Sequence, residues 1–371
     1  MTRLLIFHPT VAPYRVDFFN DLNASFRTQV CLKYWNLRDQ SFDYQKIYDR
    51  FSFRPVYLKE LFHVWGRSVY GGYWNQLNLV QPDLVLTDEF GMSTAEVLLH
   101  RFLKRKHYRV VTLCDDSHDM VANKHEFSWL HRMARRLMAP HVDEIIVVAP
   151  EVEAWYREHF GKGFCFSILQ EDEAFRKRLR KLLGRSRELQ ERYRLEGKKV
   201  FLFVGRLVAL KNVKTLIRAF AHLRQKENVL VIVGDGPEMG SLMHLAESMN
   251  LSVRFTGRLE GDALQVWYNL ADVFVLPSLQ EAFGAVVNEA LLAGCYALVS
   301  ERAGASCLIQ EGVNGFTFDP MEEQELVALM NEVRTLPAQY GEDGLKVNRM
   351  LFSYRECMKR LVNHLQGMTH E

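Results

Sequence analysis

The sequence has 371 residues, more than one typical hydrophobic core holds, and this length predicts two domains. Its composition, 48% hydrophobic and 25% charged, is that of an ordinary globular protein, and a formal net charge of +2 gives no support for nucleic-acid binding. Six cysteines without metal-ligand or redox spacing, no signal peptide and no apolar run near ~20 residues predict a cytoplasmic protein that does not span a membrane.

Short apolar strands alternate with helical patterns through the first half of the chain. The strands are predicted at 4–8, 84–86, 109–114 and 145–148, and helices follow the first two. Such alternation is typical of a parallel sheet that is covered by helices on both faces.

A second series of strands begins after a heavily charged helical stretch at 175–194. These strands are predicted at 200–204, 229–233, 253–255, 273–276 and 296–300. Two α/β halves joined in this way predict two Rossmann-like domains with parallel sheets facing across a cleft. Ligands of such sheets bind beyond the C-terminal ends of the strands.

Glu281 and Glu289 frame the most informative segment, in which the strand at 273–276 gives way to a helix. Between them, Phe283 and Gly284 mark the N-terminus of that helix, where unpaired backbone N–H groups form an anion site. Carboxylates accept hydrogen bonds from the hydroxyls of sugars and of ribose. The segment therefore predicts a site for a phosphorylated sugar. The alternative is an ordinary helix with a favourable first-turn charge and one solvated glutamate.

Two loops that follow other strands of the second half add candidate phosphate contacts. Gly205, Arg206 and Lys211 follow the strand at 200–204, and the two cations would neutralise a diphosphate leaving group. Gly234, in the turn after the next strand, allows the close approach of a ligand. Solvated surface charges and a common turn are the alternatives for these residues.

Taken in chain order, these motifs resemble those of family 4 glycosyltransferases, which have the GT-B fold. The resemblance is carried by Gly205, Arg206, Lys211, 234–237, 255–257, Glu281, 283–284 and Glu289. It is specific between about residue 200 and residue 318. It implies a retaining transferase that uses a nucleotide-diphosphate sugar as donor substrate and needs neither a metal ion nor another cofactor.

The same resemblance implies a role for each residue of the donor site. Arg206 and Lys211 would hold the diphosphate, and Glu281 would contact hydroxyls of the transferred sugar. Glu289 would bind the ribose. Further contacts with the sugar, the phosphates or the base are implied at Gly205, Gly234, Arg258, Leu259, Phe283 and Gly284.

The resemblance also implies the division of the chain. Residues 1–170 would form an acceptor-binding Rossmann-like domain and residues 171–345 the donor-binding one. Residues 346–371 would form a C-terminal helix that crosses back to the first domain. One departure concerns the turn after the strand at 296–300, where the family often has two glycines and this chain keeps only Gly304.

The loop after the strand at 109–114 holds the catalytic candidates of the first domain. Asp115 and His118 are predicted to orient the acceptor or the donor sugar, and Asp116 is a third candidate of equal rank. Many relatives have a histidine at the end of this strand, where Cys114 stands here. An acidic turn that caps the following helix is the alternative.

Basic residues cluster at 101–109, 132–136 and 175–183, and the third cluster also has an apolar helical face. A basic amphipathic helix can lie on anionic lipid at ~1 kcal/mol per cation, although exposed charged helices are routine. Peripheral contact with the inner face of the cell membrane is therefore one open interpretation.

These features predict a glycosyltransferase that moves a hexose from a nucleotide-diphosphate sugar to a hydroxyl of a glycan acceptor. The habit of the family points to a lipid-linked acceptor in the synthesis of a capsule, O-antigen or lipopolysaccharide. Three alternatives stay open: a sugar-nucleotide epimerase or hydrolase of the same fold, a non-catalytic binding protein, and a transferase acting on a soluble glucan.

Overall fold

The computed structural model describes residues 1–35, 43–64, 67–117, 120–121, 129–224 and 226–369. Its contacts divide the chain into two compact units. Unit 1 comprises Met1–Ile168 with Tyr354–Glu371, and unit 2 comprises Leu169–Ser353. The sequence places these junctions after residues 170 and 345, whereas in the structure they follow Ile168 and Ser353.

A parallel seven-stranded sheet in the order β3-β2-β1-β6-β7-β8-β9 forms the centre of unit 1. Its strands are β1 (Arg3–His8), β2 (Arg27–Leu32), β3 (Val56–Tyr57), β6 (Leu84–Asp88), β7 (Arg109–Cys114), β8 (Glu144–Val147) and β9 (Phe164–Cys165). The strands β4 (Lys59–Val64) and β5 (Arg67–Gly71) form a separate antiparallel pair. The central strands are nearly continuous apolar runs because both of their faces are covered.

Helices connect the strands of unit 1. They are α1 (Val16–Ser25), α2 (Tyr44–Tyr48), α3 (Tyr73–Val80), α4 (Met92–Leu103), α5 (Trp129–Met138) and α6 (Pro150–Phe160).

A second parallel sheet, in the order β12-β11-β10-β13-β14-β15, forms the centre of unit 2. Its strands are β10 (Lys199–Val204), β11 (Asn228–Val233), β12 (Val253–Gly257), β13 (Val273–Leu276), β14 (Tyr296–Ser300) and β15 (Gly315–Phe318). The helices of this unit are α7 (Asp172–Lys181), α8 (Leu183–Arg192), α9 (Val213–Ala221), α10 (Met239–Ser248), α11 (Gly261–Leu270), α12 (Ala285–Leu292) and α13 (Glu323–Val333).

The predicted α/β class with two Rossmann-like parallel sheets is confirmed, and every predicted strand is present with ends shifted by at most about two residues. The sequence missed β2 because its first residues are polar and partly exposed. It also missed β15, because Gly315 indicates a turn. A Cβ at Gly315 would lie under 3.0 Å from the carbonyl oxygen of Ala297, so glycine serves strand packing there.

The last helix, α14 (Tyr354–Gly367), packs on unit 1. His364 Nε2 lies 2.8 Å from Glu144 Oε2, and its ring stacks on Phe164 at 4.5 Å between centroids. Just beyond the helix, the carbonyl oxygen of Met368 accepts a hydrogen bond from Arg109 Nε at 3.0 Å. These contacts anchor the end of the chain to β7, β8 and β9.

The charged stretch that separates the two series of strands forms α7 and α8 in unit 2. Its apolar residues Phe175, Leu179 and Leu182 are buried, and α7 contacts α11 and α12. The apolar face at 175–183 is thus used within the unit and does not lie on lipid. Within the described part of the chain, no helix is both long enough and apolar enough to cross a membrane.

Candidate functional site

Three loops at the C-terminal edge of the unit 2 sheet are joined through their backbones. Gly234 N donates to the carbonyl oxygen of Gly257 at 2.9 Å, and Leu207 N donates to that of Asp235 at 2.9 Å. Gly234 has a φ of +150°, and a Cβ there would lie under 3.0 Å from the carbonyl oxygen of Gly205. The predicted glycines Gly205 and Gly234 are therefore brought together, because only a residue without a side chain permits this approach.

Lys211 stands at the end of a short 3-10 turn, Ala209–Lys211, between β10 and α9. The following Asn212 adopts a left-handed conformation at φ +53° and donates from Nδ2 to the carbonyl oxygen of Pro320 at 2.9 Å. Leu279 N donates to the carbonyl oxygen of Leu210 at 2.8 Å. These bonds fix the lysine beside the loop that follows β13.

Lys211 Nζ and Glu281 Oε2 form an ion pair, so the structure joins two residues that the sequence places 70 positions apart. Their side chains are only 16% and 18% exposed. Burial, aided by the positive charge of Arg206, lowers the pKa of Lys211 to about 8. A pKa of about 8 leaves the amine mostly protonated at neutral pH, where it pairs with the carboxylate of Glu281.

Arg206 lies on the exposed part of the same loop, close enough to repel the charge of Lys211. Two cations are thus held near one another while the lysine is paired with one carboxylate. An anion that bound both cations would relieve their repulsion. The alternative of two independent surface charges does not fit Lys211, which is largely buried and fixed.

The loop that carries Glu281 is braced by the 3-10 turn Gly304–Leu308. Gly304 N donates to the carbonyl oxygen of Glu281 at 3.2 Å, and Ala305 N donates to that of Phe283 at 2.7 Å. A Cβ at Gly304 would lie under 3.0 Å from the carbonyl oxygen of Ala282. The single glycine that remains of the family's pair is therefore the one on which this close packing depends.

Gly284 caps the N-terminus of α12 with a φ of +95°. A Cβ at this position would lie 2.8 Å from Leu276 Cδ2 and 3.3 Å from Glu281 Cγ. The ring of Phe283 is buried, so only the backbone of this pair can face a ligand. Val287 N donates to the carbonyl oxygen of Gly284 at 2.9 Å, so the anion site predicted at this N-terminus would use the preceding amides, those of Ala285 and Val286.

Glu289 is half-buried and both of its carboxylate oxygens are hydrogen-bonded within unit 2. Tyr268 Oη donates to Oε2 at 2.9 Å, and Gln170 Nε2 donates to Oε1 at 2.9 Å. Gln170 is itself held by Asn288, whose Oδ1 accepts from its backbone N at 2.8 Å. The alternative interpretation, in which Glu289 is an ordinary solvated glutamate, is therefore wrong. Each carboxylate oxygen can still accept a further hydrogen bond from a hydroxyl group.

Gln170 and Tyr268 were not indicated by any sequence pattern. Tyr268 lies on α11, where its spacing resembles that of an ordinary core residue, and Gln170 precedes α7. Arg258 is exposed on the loop between β12 and α11 and pairs with Glu260, while Leu259 beside it is half-buried. The predicted place of Arg258 and Leu259 beside a base stays a prediction.

In unit 1, both described acids of the predicted catalytic loop are bonded to side chains from other elements. Asp115 pairs with the buried Arg15, and Asp116 Oδ2 accepts from Tyr156 Oη at 2.7 Å. Burial raises the pKa of Asp116. His118 lies outside the described residues.

Glu89, at the end of β6, belongs to the same edge of the unit 1 sheet. It has a φ of +43°, and the hydroxyls of Thr94 and Thr112 both donate to its carbonyl oxygen at 2.6 Å. Its side chain reaches water, but desolvation together with Asp116, Asp115 and Asp88 raises the pKa of Glu89 to about 7. Even so, the described residues contain no group of three or more His, Cys, Asp or Glu arranged to hold a metal ion.

Residues 185–343 match a protein family described as glycosyl transferases group 1. A GDP-mannose-dependent alpha-mannosyltransferase of Corynebacterium glutamicum is 38% identical over 130 residues, which are 35% of this chain and 30% of that protein. The chain spans about a third of the length of the curated relatives that it matches first.

Two solved structures share the fold over nearly the whole chain. Sucrose-phosphate synthase from Thermosynechococcus elongatus has a TM-score of 0.71 at 15% identity, with 99% of each chain covered. The lipopolysaccharide outer core galactosyltransferase WaaB in its apo form has a TM-score of 0.70 at 16% identity, again with 99% of each chain covered. The predicted GT-B fold is confirmed by these likenesses.

Proposed function

We propose that this chain, whose residues 185–343 match the glycosyl transferases of group 1, moves a hexose from a nucleotide-diphosphate sugar to a hydroxyl of a glycan acceptor. The observation that carries the proposal is the group formed by Arg206, Lys211 and Glu281. It lies at the C-terminal ends of β10 and β13, which are neighbours in the sheet, next to the N-terminus of α12.

The chemistry follows from the charges in this group. The bond from the anomeric carbon to the bridging phosphate oxygen breaks, the acceptor hydroxyl bonds to that carbon, and its proton passes to the departing diphosphate. Arg206 and Lys211 would stabilise the negative charge that develops on the leaving diphosphate. Glu281 would position Lys211 and accept hydrogen bonds from the sugar hydroxyls.

We further propose that no metal ion or other cofactor is required. The two cations and the first-turn amides of α12 would take the part that a divalent cation has in other sugar transferases. Transfer with retention of the anomeric configuration, as in family 4, belongs to the same proposal. Gly205, Gly234, Phe283 and Gly284 would contribute through their backbones.

For the acceptor we propose a lipid-linked glycan of surface polysaccharide synthesis, met at the inner face of the cell membrane. The likeness in fold to a lipopolysaccharide galactosyltransferase supports this choice. Asp115, His118 and Asp116 stay the proposed acceptor or sugar contacts of unit 1. The described pair of acids is held in place by Arg15 and Tyr156.

The test begins with thermal unfolding in the presence of a panel of UDP- and GDP-sugars, since a donor that binds the folded state raises Tm. Product analysis with that donor and candidate glycan acceptors follows. A glycosylated acceptor supports the proposal. An epimerised or free sugar formed without an acceptor would replace it with the epimerase or hydrolase alternative, and binding without any turnover would leave a binding protein.

Glu289→Gln is expected to weaken the binding of a nucleoside diphosphate by about 10- to 150-fold, because a hydrogen bond to a charged acceptor contributes ~1.5–3 kcal/mol. The binding of inorganic pyrophosphate, which has no ribose, should stay unchanged. Isothermal titration calorimetry with both ligands measures the difference. Equal losses for the two ligands would show that Glu289 acts on the phosphates or on the fold, and would remove it from the ribose role.

Binding of the nucleoside diphosphate is also expected to weaken as the pH rises through about 8, where Lys211 loses its proton. Below this pH the amine is charged and attracts phosphate, whereas above it the amine is neutral. Titrations between about pH 6.5 and about pH 9.5 measure the effect. Lys211→Arg stays charged in this range and should flatten the profile. The same slope in that variant would assign the pH dependence to another group.

A further inference from the structure

Helix α5 has its apolar side turned outward. Its exposed residues Trp129, Leu130, Met133 and Leu137 recur at helical spacing and form one stripe. The opposite side carries the buried Arg135, which stacks on Trp155 with 4.8 Å between the guanidinium carbon and the ring centroid, and also Ala134 and Met138, which pack against the core of unit 1. A surface helix of a globular protein normally buries its large apolar residues, so four exposed ones on one helix are unusual.

Helix α4 exposes a second apolar stripe beside the first. The strands β6, β7 and β8 are parallel neighbours in chain order, and α4 and α5 lie in their two crossovers. Because such crossovers are right-handed, both helices lie on the same face of the sheet, and they contact each other. The exposed residues of the two helices, named here the α4/α5 face, are Met92, Leu99, Phe102, Leu103, Trp129, Leu130, Met133 and Leu137.

Single exposed apolar residues are common, but a group on two adjacent helices indicates an interaction surface. Cations border the group. Arg132 and Arg136 flank the stripe of α5, which has no acidic residue, and the exposed residues 104–107 follow α4. Glu96 is the acidic residue of α4.

We propose that the α4/α5 face binds the surface of an anionic lipid bilayer. Tryptophan, leucine and phenylalanine insert at the boundary of headgroups and acyl chains, while arginine and lysine at their margin attract anionic lipid. The face differs from the amphipathic stretch at 175–183, whose apolar residues are buried within unit 2.

A second copy of the chain is a less suitable occupant of this face. A twofold contact would place the same face on both partners, and the cations at its margins would meet one another. The acidic residues needed to offset them are scarce on these helices, since α5 has none. A bilayer that contains anionic lipid supplies that negative charge.

Co-sedimentation of the full chain with vesicles of phosphatidylglycerol and phosphatidylcholine tests the proposal. Binding is expected at low salt, with a decrease as salt screens the charges and on vesicles of phosphatidylcholine alone. Met133→Glu should lower the partition coefficient by about tenfold or more, because it removes apolar burial and adds a negative charge. Arg136→Gln should lower it by about fivefold.

Matched controls separate this surface from a general effect of charge. Met243→Glu places the same substitution on an exposed helix of unit 2, and Met133 and Met243 have similar exposures of 44% and 38%. Arg187→Gln removes an exposed cation from α8 of the same unit. Both controls should bind vesicles as the unchanged protein does. Because vesicle binding needs no donor, its outcome is independent of the proposed transferase activity.

Three results would overturn the proposal. One is the lack of vesicle binding at low salt, and another is an equal loss in Met133→Glu and Met243→Glu. The third is the finding that the protein is a dimer, that Met133→Glu dissociates this dimer, and that the variant still binds vesicles as the unchanged protein does. The α4/α5 face would then be the contact between two copies of the chain. Unchanged Tm values for the variants confirm that each has kept its fold.

Discussion

Lys211→Met is expected to lower kcat of sugar transfer by about 10²- to 10³-fold, the usual cost of removing one preorganised charge stabiliser. Methionine is unbranched and only one atom shorter than lysine, and it removes the positive charge that would face the leaving diphosphate. Arg206→Ala should cause a loss of similar size by removing the second cation. The measurement is the rate of nucleoside diphosphate release in the presence of donor and acceptor.

Lys214→Met is the matched control. Lys214 is exposed on α9, three residues beyond Lys211, so the variant changes the same net charge without touching the group around Glu281. Its kcat should stay within about twofold of the original, as expected for a surface residue. Near-normal transfer by both Lys211→Met and Arg206→Ala would refute the proposed donor site.

Loss of Lys211 also leaves the Glu281 carboxylate without its partner, and a second variant separates the two effects. Glu281→Gln combined with Lys211→Met removes that unpaired negative charge. Because Glu281 also contacts the transferred sugar, the two variants are compared by their affinity for the nucleoside diphosphate, which carries no such sugar. If repulsion between the carboxylate and the phosphates caused the loss, the double variant would bind it more tightly than Lys211→Met. If the missing cation causes it, as proposed, the double variant binds it as weakly as Lys211→Met. Glu281→Gln alone should also lose most transfer because Glu281 positions the cation and contacts the sugar.

The sequence predicted the core of unit 2 because β10, β11 and β13 are continuous apolar runs between turn residues. It also predicted that Lys211 and Glu281 share one site, since both follow strands of a parallel sheet. The register explains why they meet, because β10 pairs directly with β13. Gln170 and Tyr268 could not be predicted, since Tyr268 lies within α11 and Gln170 lies in the irregular segment between β9 and α7, where no motif marks it, and both nevertheless reach Glu289.

Predictions from amphipathic patterns were the least reliable of those drawn from the sequence. At 175–183 the pattern suggested contact with lipid, but Phe175 and Leu179 are covered by other helices of unit 2. At 129–138 the sequence showed the basic cluster, but it did not show that Trp129 and Leu137 are exposed to solvent. A pattern defines which residues share a helical face, whereas the sheet topology determines what covers that face.

Gly234→Ala is expected to destabilise unit 2 by roughly 2–5 kcal/mol, the combined cost of overpacking and of a backbone conformation reserved for glycine. At φ +150° the new Cβ would lie under 3.0 Å from the carbonyl oxygen of Gly205. The loop cannot retreat easily, because Gly234 N is bonded to Gly257 and Leu207 N to Asp235. A shift of either loop would break these bonds and move Arg206 away from Lys211.

The expected fall in Tm is about 5–15 °C for a unit of this size, measured by calorimetry without a ligand. Gly240→Ala is the matched control, since Gly240 lies in α10 and a Cβ there would have nothing within 4 Å. It should leave Tm unchanged or raise it slightly, because alanine favours helix by ~0.5–1 kcal/mol. At Gly257 a Cβ would have open space, but the φ is +72°, so Gly257→Ala should cost ~1–2 kcal/mol of stability. Its Tm should lie between those of Gly234→Ala and Gly240→Ala. Similar Tm values for all three variants would contradict the view that the backbone approach at Gly205 and Gly234 holds the loops of the donor site together.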